Sequence, residues 1–563
     1  MTRSIAAVVF LVVVSAMVGG CRDQVAQSDP DRTDVPDLAP AGATLLDGLG
    51  QYSMPITSAN PQVQRWFDQA LMLTYGFNHD AAERSFLKAA ELDPECAMCW
   101  WGAALVLGPH VNAGMDAARN GAAFERLQTA QRLAPQASGR EQAYIEALSA
   151  RYAEQAPENR TSLDEAYANA MDNLARAYPD DVDAATLHAE ALMNLQPWDF
   201  WDADGQAKGN TSTIVSVLES VIARSPQHSG ALHLYIHAVE ASNEPERGVA
   251  AADTLRGLIP GSGHLVHMPA HIYARVGRWR DAADVNRDAI RADDAYLATC
   301  RPAPGVYPLG YVPHNHHFLW FAATMTGNSA TALAAAEATA ERTSDPELMR
   351  APGMEGMQHF ALTPLYARTR FGHWQEIVDT PKPAADLPLM NAIWHYAQAI
   401  AALRLERPDQ AVTHYESLRT LAIDPVIESQ KAFDRYPLSL AVKVAERVVA
   451  AELAAQSGDL AASIAALHEA TGLEESIPYD EPPGWHQPVR QILGAVLLQA
   501  QQASEAEAEY RAELRRNPEN GWSLYGLKLA LEAQGRDHEA AEVDARFAQA
   551  WADADIRLTA SRF

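Results

Sequence analysis

Residues 263–279 read GHLVHMPAHIYARVGRW and place His264, His267 and His271 within eight residues of an alanine-rich chain. Upstream, HLYIHAVE sets His233 and His237 four apart with Glu240 three further on; downstream, PHNHHF supplies His314 and His317. A neutral imidazole offers a nitrogen lone pair, and histidines at i and i+4 share one helix face, so two rings can bind one ion from the same helix. Charging so many neighbouring rings would be costly through like-charge repulsion. Neutral imidazoles gathered with carboxylates are what a divalent transition metal requires, and imidazole suits zinc, copper, iron and nickel alike. No thiolate lies near these histidines to narrow the choice. His233, His237, His264, His267, His271, His314 and His317 are therefore the candidate ligands. Glu240 and Glu190 are candidate ligands or general bases, since a carboxylate beside metal-bound water can take its proton. Arg275 and Asn315 are candidates for orienting a substrate carboxylate or an oxyanion. The total of 19 histidines in 563 residues is only modestly above a usual share, so placement carries the argument.

Those side chains need helices to position them, and the chain reads as nearly all helical, with few alternating β-branched stretches beyond the first twenty residues. Trp66, Ala82, Phe86, Ala89 and Pro94 fall at positions 4, 20, 24, 27 and 32 of a 34-residue unit beginning at Val63, and Trp100 repeats position 4 in the next. Gly277, Trp279, Ala282 and Ala289 fall at positions 15, 17, 20 and 27 of a unit beginning at Gly263. Gly327 and Ala332 mark a unit beginning at Pro313, Gly372 and Trp374 one beginning at Gln358, and Pro260 closes one beginning at Ser229. The pattern resembles the tetratricopeptide repeat (TPR) family. That resemblance implies an all-α TPR solenoid of about ten to twelve antiparallel helix pairs over residues 61–560, packed through small residues at positions 8, 20 and 27. Three Gly/Pro- or aromatic-rich stretches, near 196–210, 297–312 and 348–357, interrupt the period and read as loop insertions. The first carries Trp198, Phe200 and Trp201 as packing residues or a ligand shelf.

In TPR solenoids positions 2, 5, 9, 12 and 13 line the concave wall, so the register set by glycines, alanines and prolines can be applied to the histidines. Three consecutive units, beginning at Ser229, Gly263 and Pro313, offer nine slots at positions 2, 5 and 9; histidine fills seven, the exceptions being Gly230 and Phe321. Glu240 takes position 12, Glu190 takes position 9 one unit earlier, and His359 takes position 2 one unit later. The expectation is a multi-histidine transition-metal site in the groove, serving a metal-dependent hydrolase or oxidoreductase. The alternative is a non-enzymatic scaffold whose groove receives a peptide or partner protein, as the family resemblance implies.

Residues 1–20 join Arg3 to an apolar run and small residues before Cys21, which resembles a bacterial lipoprotein signal with Cys21 as the lipidated residue. The expected setting is the cell envelope: a lipoprotein of the outer membrane, facing the periplasm and held to the membrane by its lipid, with residues 21–60 as a flexible tether. Cys96 and Cys99 form a lone C-x-x-C, too few thiols for a four-thiolate zinc site and expected as a disulfide or as packing. Cys300 reads as a residue of a Pro-rich loop. A formal net charge of −28 with no basic stripe argues against a nucleic-acid partner. No phosphate loop, nucleophile elbow or dinucleotide fingerprint is present in the sequence.

Overall fold

The computed structural model describes residues 42–202, 204–432 and 435–563. Cys21, the expected lipid anchor, lies outside them. Among the described residues the chain is an all-α solenoid of TPR-like helix pairs, and its strands are one two-residue ladder, Lys431–Ala432 against Tyr436–Pro437. No helix of the described residues is long and apolar enough to cross a membrane.

The first pair shows why the sequence folds this way. Helix Pro61–Tyr75 starts where the Asn60 side chain accepts from Gln62 N, with a proline in the first turn where no backbone donor is needed. Helix His79–Leu92 follows after Asn78 caps Ala81 N. The small residues that set the register lie at the helix contacts: Ala82, Ala89, Ala282, Ala289 and Ala332 are all 0% exposed. Elsewhere glycine does the same. A Cβ on Gly102 would stand 2.3 Å from Phe86 Cε1, and one on Gly526 would stand 2.2 Å from Tyr510 Cζ.

The coil then closes on itself. At one end the backbone of Gly261 donates to Gly48 O, and Gly230 lies against the Tyr75 ring of the first helix. At the other, Trp279 Nε1 donates to Pro518 O at 2.7 Å and Trp522 Nε1 to Thr324 O at 2.8 Å, tying the C-terminal repeats to the middle ones. The middle repeats are thereby enclosed.

Several loop expectations change. Residues 42–60, expected as the end of a free tether, pack on the helices: Leu46 N donates to Gln69 Oε1, Tyr52 OH to Asp183 and Thr57 N to Glu141, while Met54 is buried. Leu297–Cys300 complete the 22-residue helix Trp279–Cys300, so Cys300 is a buried helix residue and the loop is shorter than expected. Arg301, at φ 42°, ends that helix in the left-handed region, and a π-helical turn Tyr307–Tyr311 leads into helix Val312–Met325. Residues 196–210 remain a loop closed by a Trp201–Ala207 bridge, and 348–357 hold only a short 3-10 turn before helix Gly356–Ala361. Cys96 and Cys99 form a disulfide.

Candidate metal centre

Three successive inner helices position the histidines. Ser229–Val239 carries His233 and His237 one turn apart, and Val312–Met325 carries His314. Between them the segment 263–275 divides into Gly263–His267 and Pro269–Arg275. Pro269 has no N–H to continue the ladder, which accounts for the division, yet His267 and His271 keep their one-turn spacing. The start of this segment is pinned by Tyr307, whose hydroxyl accepts from His264 N and donates to Asp293 Oδ1.

The rings form two trios, His233 with His237 and His264, and His267 with His271 and His314; within each, one ligand atom per residue lies within 4.8 Å of the others. His233 Nε2 and His264 Nε2 are 3.1 Å apart. In the second trio His267 Nε2 is 2.8 Å from His271 Nε2 and 3.1 Å from His314 Nε2. Four rings have Nδ1 directed at groups that only accept: Tyr75 O from His233 at 2.6 Å, Glu240 Oε1 from His237 at 2.8 Å, Asn286 Oδ1 from His267 at 2.7 Å, and Glu240 Oε2 at 2.5 Å from His271. Asn286 is held in that orientation because its Nδ2 donates to Ala282 O. With the proton fixed on Nδ1, a neutral ring presents a bare Nε2 lone pair, so His233, His237 and His267 aim lone pairs into the trios; His271, which its carboxylate partners keep charged, does so once its Nε2 proton is displaced. His237 Nε2 is buried without a hydrogen-bond partner.

Burial decides the electrostatics. It lowers His233, His264 and His267 well below the usual imidazole value, and adjacent rings add to the effect. Burial, followed by the charge of His271, pushes His314 down to about 3, and burial lowers His237 despite Glu240. His271 behaves oppositely. Burial opposes its charge, but Glu240 and Glu481 outweigh burial and raise it to about 10. Glu240, which burial alone would raise, is held below the usual carboxylate range by His271 and His237, whereas burial raises Glu481. A cation at His271 Nε2 would meet the same buried carboxylates that favour a proton there.

The structure gathers Glu240 with six of the seven candidate histidines. The other two candidates lie apart. His317 stacks on Trp320 with ring centroids 5.1 Å apart and faces His359 and Phe360. Glu190 is buried with Asn194 as its hydrogen-bond partner, and burial raises it against the nearby charge of Arg151. Arg275 donates to the carbonyls of Glu240 and Ser242, and Asn315 to Asp293, so both are committed to holding the backbone and helix contacts. The rings also do not line an open groove: all six trio histidines except His314 are buried, His233 and His267 at 0% exposure. The closed coil fills the concave face with Phe77, whose ring lies 4.5 Å from that of His233, with Tyr311 4.4 Å from His264, and with Phe318 5.0 Å from His267. Trp198, from the aromatic loop, packs edge-on to His237 at 5.1 Å.

Sequence reasoning missed the segment that completes the enclosure. EPPGWHQPVR (481–490) reads as an ordinary capping stretch, yet Glu481 Oε2 stands 3.3 Å from His271 Nδ1, and Tyr479 OH bonds both Glu481 and Glu240. Trp485 is buried, as a packing residue should be. This segment is irregular and lies outside the helical register, so no periodicity marks it. Asn286 carries a local sign: it falls at position 24 of its unit, where the unit beginning at Val63 has the buried Phe86, so a polar side chain stands at a packing position.

No family model and no curated protein matches the chain. Among solved structures it is similar to the human IFIT1 dimer with m7Gppp-AAAA, at 12% identity over 86% of this chain and 96% of that one, with a TM-score of 0.32. A chain of the APC/C hetero-tetramer Cut9-Hcn1 matches at 14% identity over 87% and 76%, TM-score 0.30. A chain of Naa15/Naa10 bound to HypK-THB matches at 14% identity over 86% and 70%, TM-score 0.21. The likeness is one of repeated helical hairpins alone.

Proposed function

We propose that this protein is an exported, lipid-anchored solenoid whose enclosed interior binds divalent transition-metal ions through neutral imidazoles. The observation that supports this most directly is the orientation of the rings: outer nitrogens tied to Tyr75 O, Asn286 and Glu240, inner nitrogens converging 2.8–3.1 Å apart. Metal-binding histidines characteristically donate their other N–H to a carboxylate or carbonyl, which fixes the tautomer and raises ligand basicity. Tetrahedral zinc with bonds of ~2.0 Å separates its nitrogens by about 3.3 Å, so small ring shifts would admit an ion. The all-nitrogen donor set fits zinc, copper, iron or nickel.

An ion held by three imidazoles keeps a coordination position for water or substrate, which is what hydrolysis or oxidation needs. Yet Glu240, the carboxylate best placed to act as a base, is engaged by His237 and His271 at both oxygens. Binding is therefore the reading, with turnover a further property of the bound ion. The anchor at Cys21 and the periplasmic setting follow from the N-terminal sequence, and the Cys96–Cys99 disulfide agrees with an oxidising compartment. A peptide-binding role at the middle repeats is disfavoured because Phe77, Tyr311 and Phe318 occupy the concave face there.

The test is metal content. The protein, purified without a histidine tag and dialysed, is challenged separately with zinc, copper, iron and nickel, and bound metal is measured. His267→Ala combined with His271→Ala should abolish or sharply reduce binding while helical circular dichroism stays nearly constant. Absence of bound metal after challenge with all four ions would refute the reading.

A further inference from the structure

We propose that the centre holds two ions, one at each of two successive repeat seams, with Glu240 orienting a ligand of each. The inference rests on the metal-binding reading above and adds number, location and coupling to it.

The two trios are one construction used twice, shifted by a single repeat. His233 and His237 occupy positions 5 and 9 of the unit beginning at Ser229, and His264 occupies position 2 of the next. His267 and His271 occupy positions 5 and 9 of the unit beginning at Gly263, and His314 occupies position 2 of the next. Each trio thus takes two rings from one inner helix and a third from the helix across the seam. The geometry repeats with the register. The Nε2 atoms facing each other across the first seam, His233 and His264, are 3.1 Å apart, as are His267 and His314 across the second. Ring centroids across the two seams are 4.9 and 4.7 Å apart. This holds although the second seam spans the 297–312 insertion, whose π-helical turn Tyr307–Tyr311 returns the chain to register.

A third seam serves as an internal comparison. His317 and His359 take positions 5 and 2 there, but position 9 is Phe321, and the two rings are 6.1 Å apart. With one ligand replaced by a phenyl ring the pair is wider, and it forms no three-ligand group among the described residues.

Glu240 links the two trios. Its Oε1 accepts from His237 of the first, and its Oε2 stands 2.5 Å from Nδ1 of His271 of the second. Rings of different trios also approach, His237 to His271 at 5.9 Å and His264 to His267 at 6.0 Å between centroids. Two cations this close repel one another, and the buried carboxylates of Glu240 and Glu481 supply the negative charge that offsets the repulsion.

The experiment is stoichiometry on the full chain, stripped with chelator and titrated separately with Zn(II), Cu(II), Fe(II) and Ni(II), with metal per chain read by plasma mass spectrometry. The best-binding ion should load at two per chain. His264→Ala and His314→Ala should each load one, and the combined variant none. Glu240→Gln should weaken both sites by about 10–100-fold, the usual effect of losing a partner that orients a ligand. Circular dichroism checks the fold of each variant, and His264→Gln or His314→Gln replaces an alanine variant that does not fold. Loading of one ion in the parent, lost alike in both single variants, would overturn the two-site inference and leave metal binding standing. So would a Glu240→Gln effect confined to one site, as regards the coupling. No loading by any of the four metals would overturn both.

Discussion

Asn286 offers the sharpest test of how the site is held, because it touches one histidine and lies outside both trios. It is 0% exposed, accepts from His267 Nδ1 at 2.7 Å and donates to Ala282 O at 2.7 Å. Asn286→Leu keeps the side-chain volume nearly constant but removes the acceptor. The first consequence is a buried imidazole N–H without a partner, which costs about 1–3 kcal/mol of folding stability. The second is loss of the force that keeps the proton on Nδ1 and the lone pair on Nε2. Removing such an orienting partner lowers metal affinity about 10–100-fold, equivalent to roughly 1.4–2.7 kcal/mol at ~1.36 kcal/mol per decade. Competition titration against a chromophoric chelator measures the affinity, and denaturant unfolding under chelator measures the stability. Asn286→Asp, which keeps an acceptor, should recover most of the affinity. If Asn286→Leu loses stability but binds metal as the parent does, the claim that this residue sets the tautomer of a ligand is wrong.

Other expectations follow from the fold. Glu513 is buried, and burial followed by the Glu474 carboxylate raises it from its usual 4.5 to about 8. The folded state therefore retains a proton the unfolded chain releases, so this contribution to stability is full below the unfolded value and is lost as pH rises through about 8. Glu513→Gln, which can still accept from Asn517 Nδ2, should flatten the decline in unfolding free energy between about pH 5 and 8; an unchanged pH profile would contradict the shift. Gly526→Val should destabilise by about 1–3 kcal/mol through crowding against Tyr510, with Tyr510→Leu recovering part of the loss; additive effects in the cycle would show that the two do not meet. Trp522→Phe removes the donor to Thr324 O and should cost about 0.5–1.5 kcal/mol, with faster amide exchange at the contact between the C-terminal and middle repeats.

Residue types and their spacing suffice for the helical repeat and the rotation of each helix. Alanines at positions 20 and 27 have no space for larger side chains at the helix contacts, and with 3.6 residues per turn that constraint fixes which residues face inward. The phase of the histidines was legible for this reason. Pairs at positions 5 and 9 had to share a face, because nothing beyond one helix is needed to bring them together. Tertiary structure decided the rest. Whether His264 meets His233 depends on the step from one repeat to the next, and whether the rings face water or the interior depends on the curvature summed over the whole coil. That sum brings Gly48 to Gly261 and Trp279 to Pro518, enclosing what a single repeat would leave as an open wall. It also brings Tyr479 and Glu481 from an irregular segment more than two hundred residues away onto His271 and Glu240, and leaves Glu190 and His317 outside the trios. Local periodicity carries the orientation of a side chain about its own helix; it carries no information about small rotations between repeats, which accumulate into the contacts that close this chain.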